Sequence, residues 1–375
     1  MPSVLSVRRP DAWCIVDAWH SPNRPAGACA EKWARYPAMS DRVCAVVVTF
    51  NREALLRRCL NALLDQARPP DTILVVDNAS TDGTGEFLAT AFPEVCAVRL
   101  AKNIGGAGGF AEGLAWALAR GFDWTWLMDD DVTPDRHCLG ELLEVALASG
   151  KRVLAPRRLA QDGQDCANEA ILVEAAQRFE LVRADPLREP YRLVDLFTFE
   201  GPLIHRSVIE AVGLPDPNHF IRSDDMIYAI RINRRCGPLS CALAARAVMQ
   251  KQLPPEQGIT ARSRVKAWIT GDASYQVLGD ADHWKTVYDL RNRHIMWREL
   301  GWRRRRFRLL VMHLGYIGAD LVHAVRHRWN WALRLKWNVV AFGLGLLGRE
   351  TMFLDPEAYR AQLAGTRRAR TERRS

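Results

Sequence analysis

The chain has 375 residues, 48% hydrophobic and 25% charged, with a formal net charge of +9; this length and balance allow a large buried core and exclude a disordered or fibrous polypeptide. The charge is uneven: residues 291–375 hold 19 Lys and Arg against 6 Asp and Glu, a larger surplus than that of the whole chain, so the preceding residues are net acidic. Nine cysteines without a C-x-x-C pair exclude a disulfide framework or zinc ribbon and fit the reduced thiols of a cytoplasmic protein, and no run reaches the roughly 20 apolar residues of a membrane span.

Residues 1–40 show no sustained period and read as an N-terminal extension; Arg8, Arg9 and Asp11 interrupt any apolar leader. The ordered fold is expected from residue 41. A β-branched run at 43–50 predicts a central strand, followed by a helix over 54–66 that Pro69 and Pro70 stop. A second buried strand, 72–76, ends at Asp77 and Asn78; a helix over 81–92, a strand over 96–100, a helix over 109–120 and a strand over 124–128 follow. Residues 151–195 carry short strands and polar connections. A strand and turn at 199–206 leads to a helix opened by Asp224 and Asp225, then a strand over 239–249. A helix at 288–300 precedes the run Arg303 to Arg306 and two amphipathic stretches, which make 301–375 a basic, helical C-terminal region.

Strands alternating with helices through short connections predict an α/β, doubly wound, mostly parallel sheet. The right-handed crossover rule puts the strands' carboxyl ends on one edge. Thr49, Asn51 and Arg52, then Asp77 and Asn78, then Asn103, Gly105 and Gly106, then Asp129, Asp130 and Asp131 all fall at or just past such ends. That convergence is how this architecture builds a nucleotide crevice.

Each cluster also has a plainer reading. The triplet Asp129 to Asp131 suits a hard divalent ion carrying a phosphorylated substrate, or a solvated turn in which Asp131 or Thr133 caps a helix beginning at Pro134. Asp77 can accept hydrogen bonds from a base or ribose, while Ser80 or Asp82 caps the next helix. The glycines of 105–109 can offer bare N–H groups to phosphate or form a flexible turn. Asp224 and Asp225 either cap a helix or include a general base of raised pKa. Arg291 and Arg293 can fork onto phosphate oxygens or lie on a solvated face. Arg303 to Arg306, with Trp302, Trp329, Trp331 and Trp337, suit an anionic lipid surface; a nucleic-acid partner is the competing reading, weakened by the absence of any recognised nucleic-acid module.

The stretches VVVTFNR (46–52), VVDNASTDGT (75–84), KNIGGAGGF (102–110) and WLMDDD (126–131) resemble the GT-A glycosyltransferases of family 2. GPLIHR (201–206), FIRSDD (220–225) and YDLRNR (288–293) are similar to its bacterial galactofuranosyltransferase and rhamnosyltransferase branch. The resemblance covers roughly residues 43–300 in matching order and implies a GT-A domain over 41–300.

It further implies that Thr49, Asn51, Arg52, Asp77 and Asn78 hold the nucleoside, with Asn103, Gly105 and Gly106 beside it. Asp129 and Asp131 would grip Mn²⁺ or Mg²⁺ bridging the donor's phosphates, with Asp130 near the ribose. Asp225, or alternatively Asp224, would deprotonate the acceptor in an inverting displacement, and Arg291 and Arg293 would help neutralise the leaving diphosphate.

Two departures stand out. Where the galactofuranosyl branch completes its metal site with a histidine, this chain has Gln250 and Lys251, so Gln250, His205 or water would take that place; Phe199 and Glu200 stand where tryptophans are usual, which alters the acceptor pocket.

The implied protein is a cytoplasmic enzyme peripheral to the inner face of the membrane. It would move galactofuranose or rhamnose from a UDP or dTDP donor to a glycan or polyprenyl-lipid-linked acceptor for cell-envelope polysaccharide. Its basic C-terminal region would meet the membrane surface or mediate homo-oligomer formation, with no nucleic acid bound. The alternative from another class is a catalytically inactive sugar-nucleotide-binding scaffold.

Overall fold

In the computed structural model, β1 (Val43–Thr49) is buried along its whole length, as a strand covered on both faces must be. The structure describes residues 41–372 except 162, 164–169, 174–177, 182–189, 250–281, 326–330, 350 and 352–353. The N-terminal extension and the metal-ligand question at Gln250 and Lys251 therefore lie outside the described residues.

The first half alternates α1 (Glu53–Leu64), β2 (Thr72–Asp77), α2 (Thr84–Ala91), β3 (Cys96–Arg99), α3 (Gly105–Ala119) and β4 (Trp124–Asp129). β5 (Val132–Pro134), α4 (Cys138–Ser149), β6 (Val153–Leu159), β7 (Ala170–Val173), β8 (Arg178–Leu181), β9 (Tyr191–Val194) and β10 (Glu200–His205) follow. Then come α5 (Arg206–Val212), α6 (Asp224–Cys236), β11 (Leu239–Met249), α7 (His283–Glu299), α8 (Arg303–Val325), α9 (Trp331–Leu347) and α10 (Pro356–Glu372).

Nine strands form one sheet in the order β3-β2-β1-β4-β10-β6-β11-β5, with β9 on β11; β7 and β8 make a separate hairpin. β1 pairs in parallel with β2 and β4, whereas β10 runs antiparallel between β4 and β6. The mostly parallel α/β sheet expected from the alternation is present. Cys44, Val46 and Val48 face a core shared with α3 and α6, and Val43, Ala45 and Val47 face one shared with α1 and α4.

Two expectations are corrected here. No helix starts at Pro134: residues 132–134 pair with β11, and the helix begins at Cys138. The glycine-rich stretch is not a loop ahead of a helix at 109 but the first turns of α3 itself. An added Cβ on Gly109 would sit 2.6 Å from Val48 and one on Gly113 2.3 Å from Val46, so these glycines bring the helix against β1.

The C-terminal helices share a core with the body of the fold: Ala341, Leu354 and Tyr359 pack with Phe220, Trp284 and Tyr288. Under them lie three buried histidines, His283, His294 and His313, with His294 Nε2 and His313 Nδ1 3.3 Å apart. Burial pushes them down to about 3, about 3 and about 4 respectively. The unfolded chain protonates histidine near 6.5, so below that pH the unfolded state binds more protons. The histidines' effect on stability is nil above about pH 6.5 and becomes unfavourable as pH falls toward 4, by up to about 1.4 kcal/mol per histidine per pH unit. Thermal unfolding between pH 7.5 and 5 checks this. His313→Leu is expected to flatten the dependence relative to wild type, which separates the histidines from buried acids whose raised values act in the opposite sense.

Candidate active site

Sheet register assembles the crevice. Thr49 stands opposite Asp77 on β2, and Val48 opposite Asp129 on β4, so neighbouring ends lie one strand spacing, about 4.8 Å, apart, with β1 in the middle. The loops beyond are tied together. Asp77 Oδ1 accepts from Ser80 N at 2.8 Å, and Arg99 Nε approaches its other oxygen at 3.8 Å. Asn78 donates to Gly105 O at 2.8 Å and accepts from Ile104 N at 2.9 Å, latching the segment after β3 to the end of β2. Asn103 Oδ1 accepts from Gly105 N at 2.8 Å. Asn51, at φ 54°, accepts from Thr81 N through its side chain at 2.6 Å. Asp82 accepts from Thr84 N at 3.2 Å, so the helix after β2 begins at Thr84, three residues beyond the expected start.

At the end of β4, Asp130 and Asp131 are buried. Thr49 Oγ1 donates to Asp130 at 2.8 Å, and Arg52 donates to Asp130 at 3.0 Å and Asp131 at 3.2 Å. Burial pushes Asp130 up to about 6 despite Arg52. Asp129 is pushed well above the usual carboxylate range by burial and by the charges of Asp131 and Asp130. Repulsion among oxygen donors that a single arginine, Arg52, does not fully offset is the condition a hard cation relieves, so the donor chemistry of Asp129 and Asp131 fits Mg²⁺ or Mn²⁺. Among the described residues no three His, Cys, Asp or Glu side chains converge as ready ligands. Such an ion would share its shell with phosphate and water.

Across from the triplet, α6 opens with Asp224 and Asp225, the first buried and the second half-buried. Burial and Asp225 push Asp224 well up; burial pushes Asp225 up to about 6, while the Met226 N–H and Arg158 pull it back. Gly105 O, at the start of α3, accepts from Asn78 at the end of β2, and a Cβ on Gly106 would be 3.7 Å from Asp224 Oδ2, so the start of α6 borders the strand-end crevice. Gly105, at φ +77°, packs against the loop before α6, where an added Cβ would be 2.2 Å from Phe220 O. Glu200, opposite Met128 in the β4–β10 pairing, forms an ion pair with buried Arg158 and accepts from Thr198 at 2.9 Å.

Arg291 and Arg293 are not on a solvated face. Fourteen of the 17 residues of α7 are buried. Arg291 donates to Asn218 O at 2.6 Å and Arg293 Nε to Asp289 at 2.9 Å. Between them Asn292, which sequence reasoning passed over, donates to three loop carbonyls preceding α6. A helix buried on every side has no amphipathic period to mark which polar residues matter. The loop it holds contains Phe220, Arg222 and Ser223 at φ 62°, 68° and 58°, each costing about 1–3 kcal/mol in a non-glycine residue. His205 instead caps α5, at the far end of β10 from Glu200.

This arrangement of sheet, acidic strand end and facing helix is that of the GT-A glycosyltransferases. The fold resembles a crystal structure of GalNAc-T7 with UDP, GalNAc and Mn²⁺, with a TM-score of 0.50 at 15% identity, covering 70% of this chain and 48% of that one. Residues 44–208 match the model of glycosyl transferase family 2. The galactofuranosyltransferase GlfT1 of Mycolicibacterium smegmatis is 34% identical over 209 residues, 54% of this chain and 69% of that protein. An undecaprenyl-phosphate mannosyltransferase of Micrococcus luteus is 35% identical over 121 residues, 32% of this chain and 49% of that protein. The chain belongs to glycosyltransferase family 2 and is a glycosyltransferase.

Proposed function

We propose that the protein is an inverting glycosyltransferase that moves a sugar, galactofuranose or rhamnose, from a UDP or dTDP donor to a glycan or polyprenyl-lipid-linked acceptor in cell-envelope synthesis. The observation that carries this reading is the meeting of the Asp129 to Asp131 strand end with the Asp224–Asp225 helix start across one crevice. The relatives named for galactofuranosyl and polyprenyl-phosphate mannosyl transfer support the choice of acceptor class.

In this reading Thr49, Asn51, Arg52, Asp77 and Asn78 cradle the nucleoside, with Asn103, Gly105 and Gly106 closing one wall. Asp130 orients the ribose. Asp129 and Asp131 would hold a divalent cation, which when bound would supply positive charge for the leaving diphosphate. Asp225 takes the proton of the acceptor hydroxyl as its oxygen bonds to the anomeric carbon and the bond to phosphate breaks on the opposite face. Arg291 and Arg293, buried on α7, support the acidic helix start and add positive charge on the side of the leaving diphosphate. The test is incubation with UDP and dTDP sugars and a lipid-linked acceptor, followed by NMR of the product. A product of opposite anomeric configuration supports the reading; a retained configuration or nucleotide binding with no turnover favours another mechanism or the scaffold.

Membrane docking falls to α8. Among the described residues no helix is long and apolar enough to cross a membrane. Yet Phe307, Val311 and Leu314 are 66%, 51% and 50% exposed, and with Arg303 they follow one another along one helical stripe, edged by exposed Arg304. An apolar stripe with arginines at its edge matches an anionic leaflet. Phe307→Asp/Val311→Asp is expected to cut co-sedimentation with phosphatidylglycerol vesicles by roughly fivefold or more; unchanged binding, or a fall only in oligomer size, would contradict the lipid assignment.

A further inference from the structure

We infer that Asn292, together with Asp289, is a positioning residue that fixes the helix start carrying Asp225; the inference rests on Asp225 being the base. Asn292 is fully buried and cannot touch either substrate. Its Nδ2 lies 2.9 Å from His219 O, 3.2 Å from Ile221 O and 2.7 Å from Arg222 O, two hydrogens shared among three carbonyls of the loop ahead of α6. One step along the helix face, Asp289 Oδ1 accepts from Ser223 Oγ at 2.7 Å and is itself held by Arg293 Nε at 2.9 Å.

The loop needs such a clamp. Phe220, Arg222 and Ser223 are all left-handed at φ 62°, 68° and 58°, a conformation that side chains other than glycine adopt only when their surroundings impose it. Ser223 is also the residue before Asp224, and its side chain makes no capping bond to α6 but turns to Asp289. On the other side, Phe220 O accepts from Ala107 N at 3.2 Å, and the Phe220 ring stacks on Tyr288 at 5.0 Å. The loop is thus pinned between α7 and the start of α3, and the direction in which Asp225 leaves it is set by α7. The strand ends of β1, β2 and β4, which carry most of the donor half, take no part in these bonds; only the Gly105–Gly106 wall at the start of α3 lies against Phe220.

The separation defines the test. Asn292→Leu keeps the volume and removes the donor. Nucleotide affinity is expected to stay within about twofold, while kcat falls about 10²-fold, the scale of a misplacement of about 1 Å in a reacting group. Combined with Asp225→Asn, Asn292→Leu should cause no further loss, since both act through one carboxylate. Unchanged kcat, an equal loss of affinity and kcat, or losses that multiply in the double variant would each overturn the inference. If Asn292→Leu does not fold, Ser223→Ala, which removes only the bond to Asp289, is judged by the same readouts. Asp225→Asn with undiminished kcat would instead sink the base assignment, and is recognisable because it fails without any change at Asn292.

Discussion

Asp225→Asn is expected to lower kcat by about 10²- to 10⁴-fold, the usual contribution of a positioned general base, while nucleotide affinity changes little. The carboxylate is half-buried at the start of α6, and burial pushes its pKa to about 6. It is therefore ionised at neutral pH yet more basic than an ordinary aspartate, and an amide in its place cannot take a proton. Wild-type turnover should fall as pH is lowered through about 6, where the carboxylate becomes protonated, and the residual rate of Asp225→Asn should lose that limb. Its neighbour behaves differently: burial and Asp225 push Asp224 well above the usual carboxylate range, which disfavours the charged form that a base needs. Asp224→Asn should cost about tenfold or less by the same reasoning. Steady-state kinetics of both variants across pH 5–8 would check the assignment, and a collapse in Asp224→Asn with Asp225→Asn nearly active would transfer the role.

The second large effect concerns the strand end. Asp129→Asn/Asp131→Asn should reduce turnover by at least about 10³-fold, because charge stabilisation of a departing diphosphate is worth several kcal/mol. The physical sign runs against stability. Asp129 is buried among like charges, so neutralising it relieves repulsion and offsets the loss of the partly exposed Arg52–Asp131 ion pair, and the apo variant should melt close to wild type. Loss of activity with retained or raised thermal stability distinguishes a site built for a cation from a fold that needs its acids. A variant that lost stability and activity together would point to the capping role instead.

The parts of this fold that were legible in the sequence are those with a local cause. β-branched runs gave β1 and β2, and the abrupt change from WLM to three aspartates marked the end of β4. The crevice followed because strand ends share an edge in an alternating fold. What could not be read depends on distant partners. The glycines of α3 looked like a loop because glycine weakens helices, but here they let α3 approach Val46, Val48 and Phe220. Read locally, Arg291 and Arg293 also fitted a solvated face, since nothing in their sequence shows that α7 is enclosed by α8, α9 and the loop before α6. Asn292 stands within the YDLRNR stretch, but its role there carried no local signal, because its partners are carbonyls about 70 residues away.

The most direct measurement is thermal-shift binding of UDP, dTDP and GDP, each with and without Mn²⁺, to the wild-type chain and to Asp129→Asn/Asp131→Asn. The expected result is a shift for UDP or dTDP that needs Mn²⁺ and vanishes in the variant. Binding of no nucleotide, or binding equal in the variant and indifferent to Mn²⁺, would contradict a cation-bridged donor site at the end of β4.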